Sequence, residues 1–258
     1  MGIRTFTKSA YKEIKNLSIF KKEAHYFLLI SQERTGSTLL SDLISFHPSI
    51  LMDRHYFYRP DNWPSRWQEG KKIYSRKPIR GCKFKMADDP YQSSPQEARG
   101  FLQTTGADMS IIRLNRNNKF RQGLSSYLAD LRDKIHERSD EENSPDKKFR
   151  IDPDHLIEDY IKYFEKLTDF QDQALNGTDY CEVTYELDLK KQDRHQATAN
   201  RVFRHLDLDL SPVETRFKKM TPFDLSKIIS NPDEVKARLS KSPYGKYLSP
   251  NRDQVGSA

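Results

Sequence analysis

Apolar and polar positions fall into blocks along this chain, and the blocks alternate between two periods. His25-Tyr26-Phe27-Leu28-Leu29-Ile30-Ser31 is a compact apolar run of strand length. A turn follows at Arg34 to Thr38, after which Leu39, Leu40, Leu43 and Ile44 recur at helical spacing. A second strand is predicted over Ile79 to Met86, ended by Asp88-Asp89-Pro90, and a third over Ala107 to Asn115. From Asn118 to about Glu137, the residues Phe120, Leu124, Tyr127, Leu128 and Leu131 share one helical stripe. Asp152 as N-cap and Pro153 at the first turn open a long helix to about Leu175, which Gly177 ends. Tyr180 to Tyr185 reads as a fourth strand and Arg194 to Leu206 as another helix, with short helices and turns after Pro212. Strands alternating with helices predict an α/β fold with a central parallel sheet covered by helices on both faces.

Three stretches interrupt this rhythm. Residues 1–24 mix basic and apolar positions and read as an N-terminal arm for packing or oligomer contact, ahead of a single domain over 25–258. Residues 53–75 carry Tyr56, Phe57, Tyr58, Trp63 and Trp67 among prolines and read as an irregular loop packed over something. Residues 138–150 are polar and charged and read as an exposed bridge.

Composition narrows the class. The 258 residues include 14 Phe, 13 Tyr and 2 Trp, too many aromatics for a disordered chain despite a 35% hydrophobic content. No apolar run reaches the roughly 18–20 residues a membrane span needs, and the basic start has no signal-type apolar core. Cys82 and Cys181 match neither a metal-ligand spacing nor a disulfide framework, so they read as buried thiols of a reducing compartment, and the expected location is cytoplasmic. The net charge of +7 points to a polyanionic small molecule, a nucleic acid or a membrane surface, or to solvated surface charge alone.

The sharpest chemical signal is Ser31-Gln32-Glu33-Arg34-Thr35-Gly36-Ser37-Thr38, set between a strand and a helix. Gly36 permits a tight turn and close ligand approach, while Ser37 and Thr38 place hydroxyls beside the free amides of a helix start. Arg34 adds a forked cationic donor. Alone, the segment also reads as an ordinary capped turn. It is not a Walker loop, because no Lys precedes the hydroxyl residues. A second element follows in Ile111-Ile112-Arg113-Leu114-Asn115-Arg116, with Ser125 nine residues after Arg116. In a parallel sheet both elements end at the carboxyl edge, where ligands collect. A surface ion pair and a solvent-facing serine are the plainer reading of Arg116 and Ser125.

Together these motifs resemble the sulfotransferases that use 3′-phosphoadenosine 5′-phosphosulfate (PAPS), in their bacterial and carbohydrate-type branch. The resemblance implies a P-loop-like sulfotransferase fold. Arg34, Thr35, Gly36, Ser37 and Thr38 match the family's 5′-phosphosulfate loop. Arg116 and Ser125 match its 3′-phosphate pair, with Ser126 the choice if the register slips by one. Weaker agreements are Leu43 to Pro48, Gly81-x-Lys83 and Tyr185-Glu186-x-x-Leu189. The C-terminal R-K-G-x-x-G signature of the cytosolic arylsulfotransferases has no match, which leaves the adenine contacts unassigned and weakens the case for a phenol acceptor.

The resemblance implies in-line transfer of a sulfuryl group from PAPS to a hydroxyl or amine of a small-molecule or carbohydrate acceptor, as in natural-product tailoring. It implies release of 3′,5′-ADP, with no metal required. Cations must meet the leaving phosphate and the sulfonate, and a base must take the acceptor proton. Arg34 is the first cation and Lys83 the second. Counted from His47, the family's base position is His55, a group that titrates near neutrality; Asp53 and Glu33 are the alternatives. Two other classes compete: a nucleotide-dependent phosphoryl-transfer enzyme, and a basic nucleic-acid-binding module. The expected partners are an acceptor molecule, with no nucleic acid and no membrane anchor. The oligomeric state stays open.

Overall fold

The computed structural model describes residues 25–57, 79–84, 94–106, 109–136, 148–215 and 224–249. The expected N-terminal arm, most of the aromatic segment and Asp88 and Asp89 lie outside them. Five parallel strands form one sheet: β1 (His25–Ser31), β2 (Ile50–Phe57), β3 (Ile79–Phe84), β4 (Met109–Asn115) and β5 (Cys181–Thr184). Their spatial order is β2-β3-β1-β4-β5. The helices are α1 (Ser37–Ser45), α2 (Pro95–Gly106), α3 (Lys119–His136), α4 (Pro153–His155), α5 (Lys162–Leu175), α6 (His195–His205) and α7 (Pro232–Ser240). A π-helical turn at Leu156–Ile161 joins α4 to α5, and another at Tyr185–Leu189 follows β5. No helix among the described residues is long and apolar enough to cross a membrane.

β1 is apolar on both faces because both are covered. Phe27 and Leu29 pack with Leu40, Leu43 and Ile44 of α1 and with Ala199, Val202 and Phe203 of α6. Tyr26, Leu28 and Ile30 pack on the other side with Leu102 of α2 and with Ala174 and Leu175 of α5. A third cluster joins Phe120, Leu124 and Leu128 of α3 to Leu156, Ile157, Ile161, Val235 and Leu239. The two cysteines are free and buried, as expected.

Phe27 pairs in register with Gly81, and a Cβ built on Gly81 would lie 2.0 Å from Cζ of the Phe27 ring. The ring therefore occupies the space of a side chain that glycine lacks. At the start of α4, Asp152 accepts from the amides of Asp154 at 2.9 Å and His155 at 3.2 Å, with Pro153 in the first turn. The cap and the proline act as the sequence predicts.

Two expectations change. Residues 53–57 are not part of an irregular loop but complete β2, which pairs with β3 from Ile50↔Ile79 to Phe57↔Phe84. The register breaks between Asp53 and Tyr56, so Arg54 and His55 fall in a bulge. That break, together with three successive polar residues, removes the two-residue alternation by which a strand is recognised. The end of the 138–150 bridge is also tied down: the amide of Ser230 donates to the carbonyl of Phe149 at 2.9 Å. Phe149 forms a parallel bridge with Ile229.

The order of strands creates the site. β1 lies between β3 and β4; the chain leaves β1 toward one side of the sheet and β4 toward the other. Loops that part in this way leave a crevice at the carboxyl edge, the standard ligand position of open α/β sheets.

Candidate anion-binding site

The loop after β1 is shaped by its own bonds. The Thr35 hydroxyl donates to the carbonyl of Gln32 at 2.7 Å. Arg34 has φ 58 and Gly36 φ 92, both left-handed. A non-glycine residue enters that region at a cost of about 1–3 kcal/mol, a strain usually found at functional sites. The first helical bond of α1 runs from the Leu40 amide to the Gly36 carbonyl at 3.0 Å, and no side chain caps the helix. The first amides of a helix lack intrahelical acceptors and carry the positive end of its dipole. Thr35 and Ser37 are buried, Gly36 is half-buried, and Arg34 and Thr38 are exposed.

A buried amide network fixes this loop from behind. Gln122 of α3 donates from Nε2 to Gln32 Oε1 at 2.9 Å and to the Glu33 carbonyl at 2.8 Å. Gln32 donates onward to the Thr168 hydroxyl of α5 at 2.9 Å. A fully buried glutamine with no partner would be costly, so each of these bonds specifies the position of the loop.

The second element meets the first. Arg34 Nε donates to Ser125 Oγ at 3.1 Å and to the Ser125 carbonyl at 3.2 Å. Arg116 donates from its guanidinium to the Arg34 carbonyl at 2.8 Å. Arg34, Arg116 and Ser125, far apart in sequence, thus form one contact chain across the crevice. Ser125 is half-buried on the crevice side, while Ser126 is buried.

Tyr185 and Glu186 bracket the two elements. The Arg116 guanidinium carbon lies 4.7 Å from the centroid of the Tyr185 ring. That ring also lies against Gly36, where an added Cβ would come within 2.8 Å of Cδ2. The buried Glu186 carboxylate accepts from the amides of Asn117 at 2.9 Å and Asn118 at 3.0 Å, and stands 3.8 Å from Arg116 Nε. It satisfies the amides at the start of α3, an anion at the positive end of a helix. Asn118 caps the same helix, accepting from the Arg121 amide at 2.9 Å.

Lys119 lies in this bracket and is 4% exposed. Its Nζ donates to Asn115 Oδ1 at 3.1 Å and to the Arg116 carbonyl at 2.7 Å. Burial pushes its pKa down to about 7, against the raising influence of Glu186. Lys83 pairs in register with Leu29 on β1 and with Tyr56 on β2, and is 3% exposed. It belongs to the buried interior of the sheet rather than to a solvated surface.

The remaining expected residues divide differently. Glu33 is half-buried within the loop. His55 and Asp53 are described only as positions of β2; their side chains lie outside the described residues. His47 is buried and packed edge-on against Phe203 at 4.8 Å between centroids. Its Nδ1 accepts from the Ser49 amide at 3.1 Å, and its Nε2 pairs with the Asp209 carbonyl at 3.0 Å. It holds the turn before β2.

Sequence reasoning passed over Gln32, Gln122 and Lys119. Uncharged amides carry no motif, and a lysine three positions after Arg116 does not announce its burial. Tyr185 and Glu186 did leave a signal, as the late pair after the last strand.

No protein-family model matches the chain, and no curated protein sequence does. Among solved structures, a sulfotransferase from Alicyclobacillus acidocaldarius is similar in fold with a TM-score of 0.49 and 13% sequence identity. The match covers 89% of this chain and 96% of that one.

Proposed function

We propose that this protein is a sulfotransferase that takes its sulfuryl group from PAPS and passes it to a hydroxyl or amine of a small-molecule or carbohydrate acceptor. The observation that carries this reading is the meeting of Arg34, Arg116 and Ser125 at the crevice between β1 and β4. A nucleotide bearing phosphates at both its 3′ and 5′ positions needs two anion subsites held at a fixed separation. The loop before α1 and the pair Arg116–Ser125 supply two such subsites, tied to each other.

The donor set fits such a nucleotide. Gly36, with φ 92, lets the loop turn tightly beneath the Tyr185 ring. The uncapped start of α1 and the hydroxyls of Ser37 and Thr38 would hold the 5′-phosphosulfate, and Arg116 with Ser125 the 3′-phosphate. When bound, PAPS supplies an activated sulfuryl group whose transfer is in-line, with charge spread over the peripheral oxygens. Arg34 stabilises negative charge at the leaving phosphate, and Lys83 provides the second cation, toward the sulfonate. The acceptor proton goes to His55, with the carboxylates Asp53 and Glu33 as the alternatives. The chain's own work is thus to bind, align and neutralise.

Calorimetric titration with 3′,5′-ADP, 5′-AMP, ATP and a short oligonucleotide tests the reading. The expected result is selective binding of 3′,5′-ADP, weakened by about ten- to a hundredfold in Arg116→Ala, the effect of one or two lost charge-assisted hydrogen bonds. Binding of 3′,5′-ADP no tighter than that of 5′-AMP overturns it.

A further inference from the structure

Arg116 leaves β4 on a bend whose shape is held from within. The Asn115 side-chain oxygen accepts from the Arg116 amide at 2.8 Å and from Lys119 Nζ at 3.1 Å. The same Nζ donates to the Arg116 carbonyl at 2.7 Å. One buried amino group therefore closes the bend, while Glu186 takes the amides of Asn117 and Asn118.

Four charged side chains act on Lys119. Arg113 reaches it from β4, Arg116 from the bend, Asp172 from α5 and Glu186 from the turn after β5. Arg113 is itself paired with Asp172. Burial takes the ammonium out of water, and this desolvation outweighs the raising influence of Glu186. A dianionic phosphate on Arg116 adds negative charge and favours the protonated form.

We propose that Lys119 is a positioning residue of the 3′-phosphate subsite, whose buried ammonium holds the Arg116 bend in shape and whose charge is linked to occupancy of that subsite. This rests on the PAPS reading. Its consequence is proton uptake on binding. Above neutral pH the free protein releases the Lys119 proton and the occupied protein keeps it, so affinity for the 3′-phosphate falls as pH rises.

The experiment is calorimetry of the full chain with 3′,5′-ADP and with 5′-AMP, in buffers of different ionisation heat. The range is about pH 7.5 to 9, above the second phosphate ionisation near about 6. Wild type is expected to take up a fraction of one proton with 3′,5′-ADP and none with 5′-AMP. Its affinity for 3′,5′-ADP should weaken with pH by at most about tenfold per unit.

Lys119→Met should lose the proton uptake and bind 3′,5′-ADP at least about tenfold more weakly at pH 7.5, a loss on the scale of one charge-assisted hydrogen bond. Its binding of 5′-AMP should be unchanged. Lys119→Arg, which stays charged throughout, should bind without proton uptake and with affinity flat in pH. Flat affinity and no proton exchange in wild type overturn the proposal without any variant being needed. So does the same proton uptake persisting in a folded Lys119→Met. Failure of wild type to bind 3′,5′-ADP is a separate result, which removes the PAPS reading and this inference with it.

Discussion

Gly36 is the residue on which the most geometry converges. Its φ of 92 suits only glycine without strain, and the Tyr185 ring occupies the space of any Cβ. Tyr185 in turn lies under Arg116, so a shift forced at Gly36 is passed to the Arg116 guanidinium. Gly36→Ala is expected to cost about 1–2 kcal/mol in urea denaturation, from left-handed strain and a ring that must move. The same change should weaken 3′,5′-ADP binding by more than the stability loss alone predicts, because the loop amides and Arg116 are displaced together. Unchanged affinity in a destabilised variant would separate Gly36 from the subsites. The sequence singles out Arg34 and Gly36 through a turn between strand and helix, and Arg116 and Ser125 through a family resemblance; the structure brings Arg34, Arg116 and Ser125 into contact. Lys119, Gln32 and Gln122 were not legible in the sequence, because their roles come from being buried beside residues distant in sequence.

At the scale of elements, β1, β4 and the helices around them announce themselves through apolar runs or a clear helical stripe, whereas β5 is a run of four residues, Cys181–Thr184. β2 does not announce itself. It is an edge strand with a register break at Arg54 and His55, and its charged stretch conceals the pairing with β3. α2 is likewise faint: among its described side chains in Pro95–Gly106, Leu102 is buried in the core and Ala98 packs partly against it. Parallel topology demands a crossover there, but local pattern supplies little of it. β3 is held to β1 through a contact that no periodicity reveals, the Phe27 ring on Gly81. Gly81→Ala places a methyl 2.0 Å from that ring, with the strand backbone and the core on either side leaving no simple relief. The expected loss is about 3 kcal/mol or more, at the upper end of overpacking effects, read as a lowered urea midpoint with the slope unchanged. Phe27→Leu in the same background should recover part of it, since a smaller side chain vacates the contested space. A Gly81→Ala protein as stable as wild type would mean that β3 does not seat against β1 in this register.

Across the whole molecule, net charge and topology make competing claims about what binds. A charge of +7 spread over a surface attracts any polyanion, and does so through counterion release. The crevice between β1 and β4 is a local arrangement of a few donors held by buried side chains, and its selectivity does not depend on the total. Salt separates the two. An oligonucleotide bound across the basic surface through about 6–10 phosphate contacts should lose about 10³–10⁵ in affinity between 50 and 200 mM salt. A nucleotide held by two anion subsites releases far fewer ions, and its affinity should fall by no more than about tenfold over the same range. The expected outcome is therefore weak, steeply salt-dependent oligonucleotide binding beside shallow salt dependence for 3′,5′-ADP. Arg116→Ala should weaken 3′,5′-ADP binding by about ten- to a hundredfold while leaving oligonucleotide binding nearly intact, because removing one of 44 basic residues scarcely alters the surface field. If oligonucleotide binding persists at high salt and survives loss of Arg116, the surface rather than the crevice carries the function.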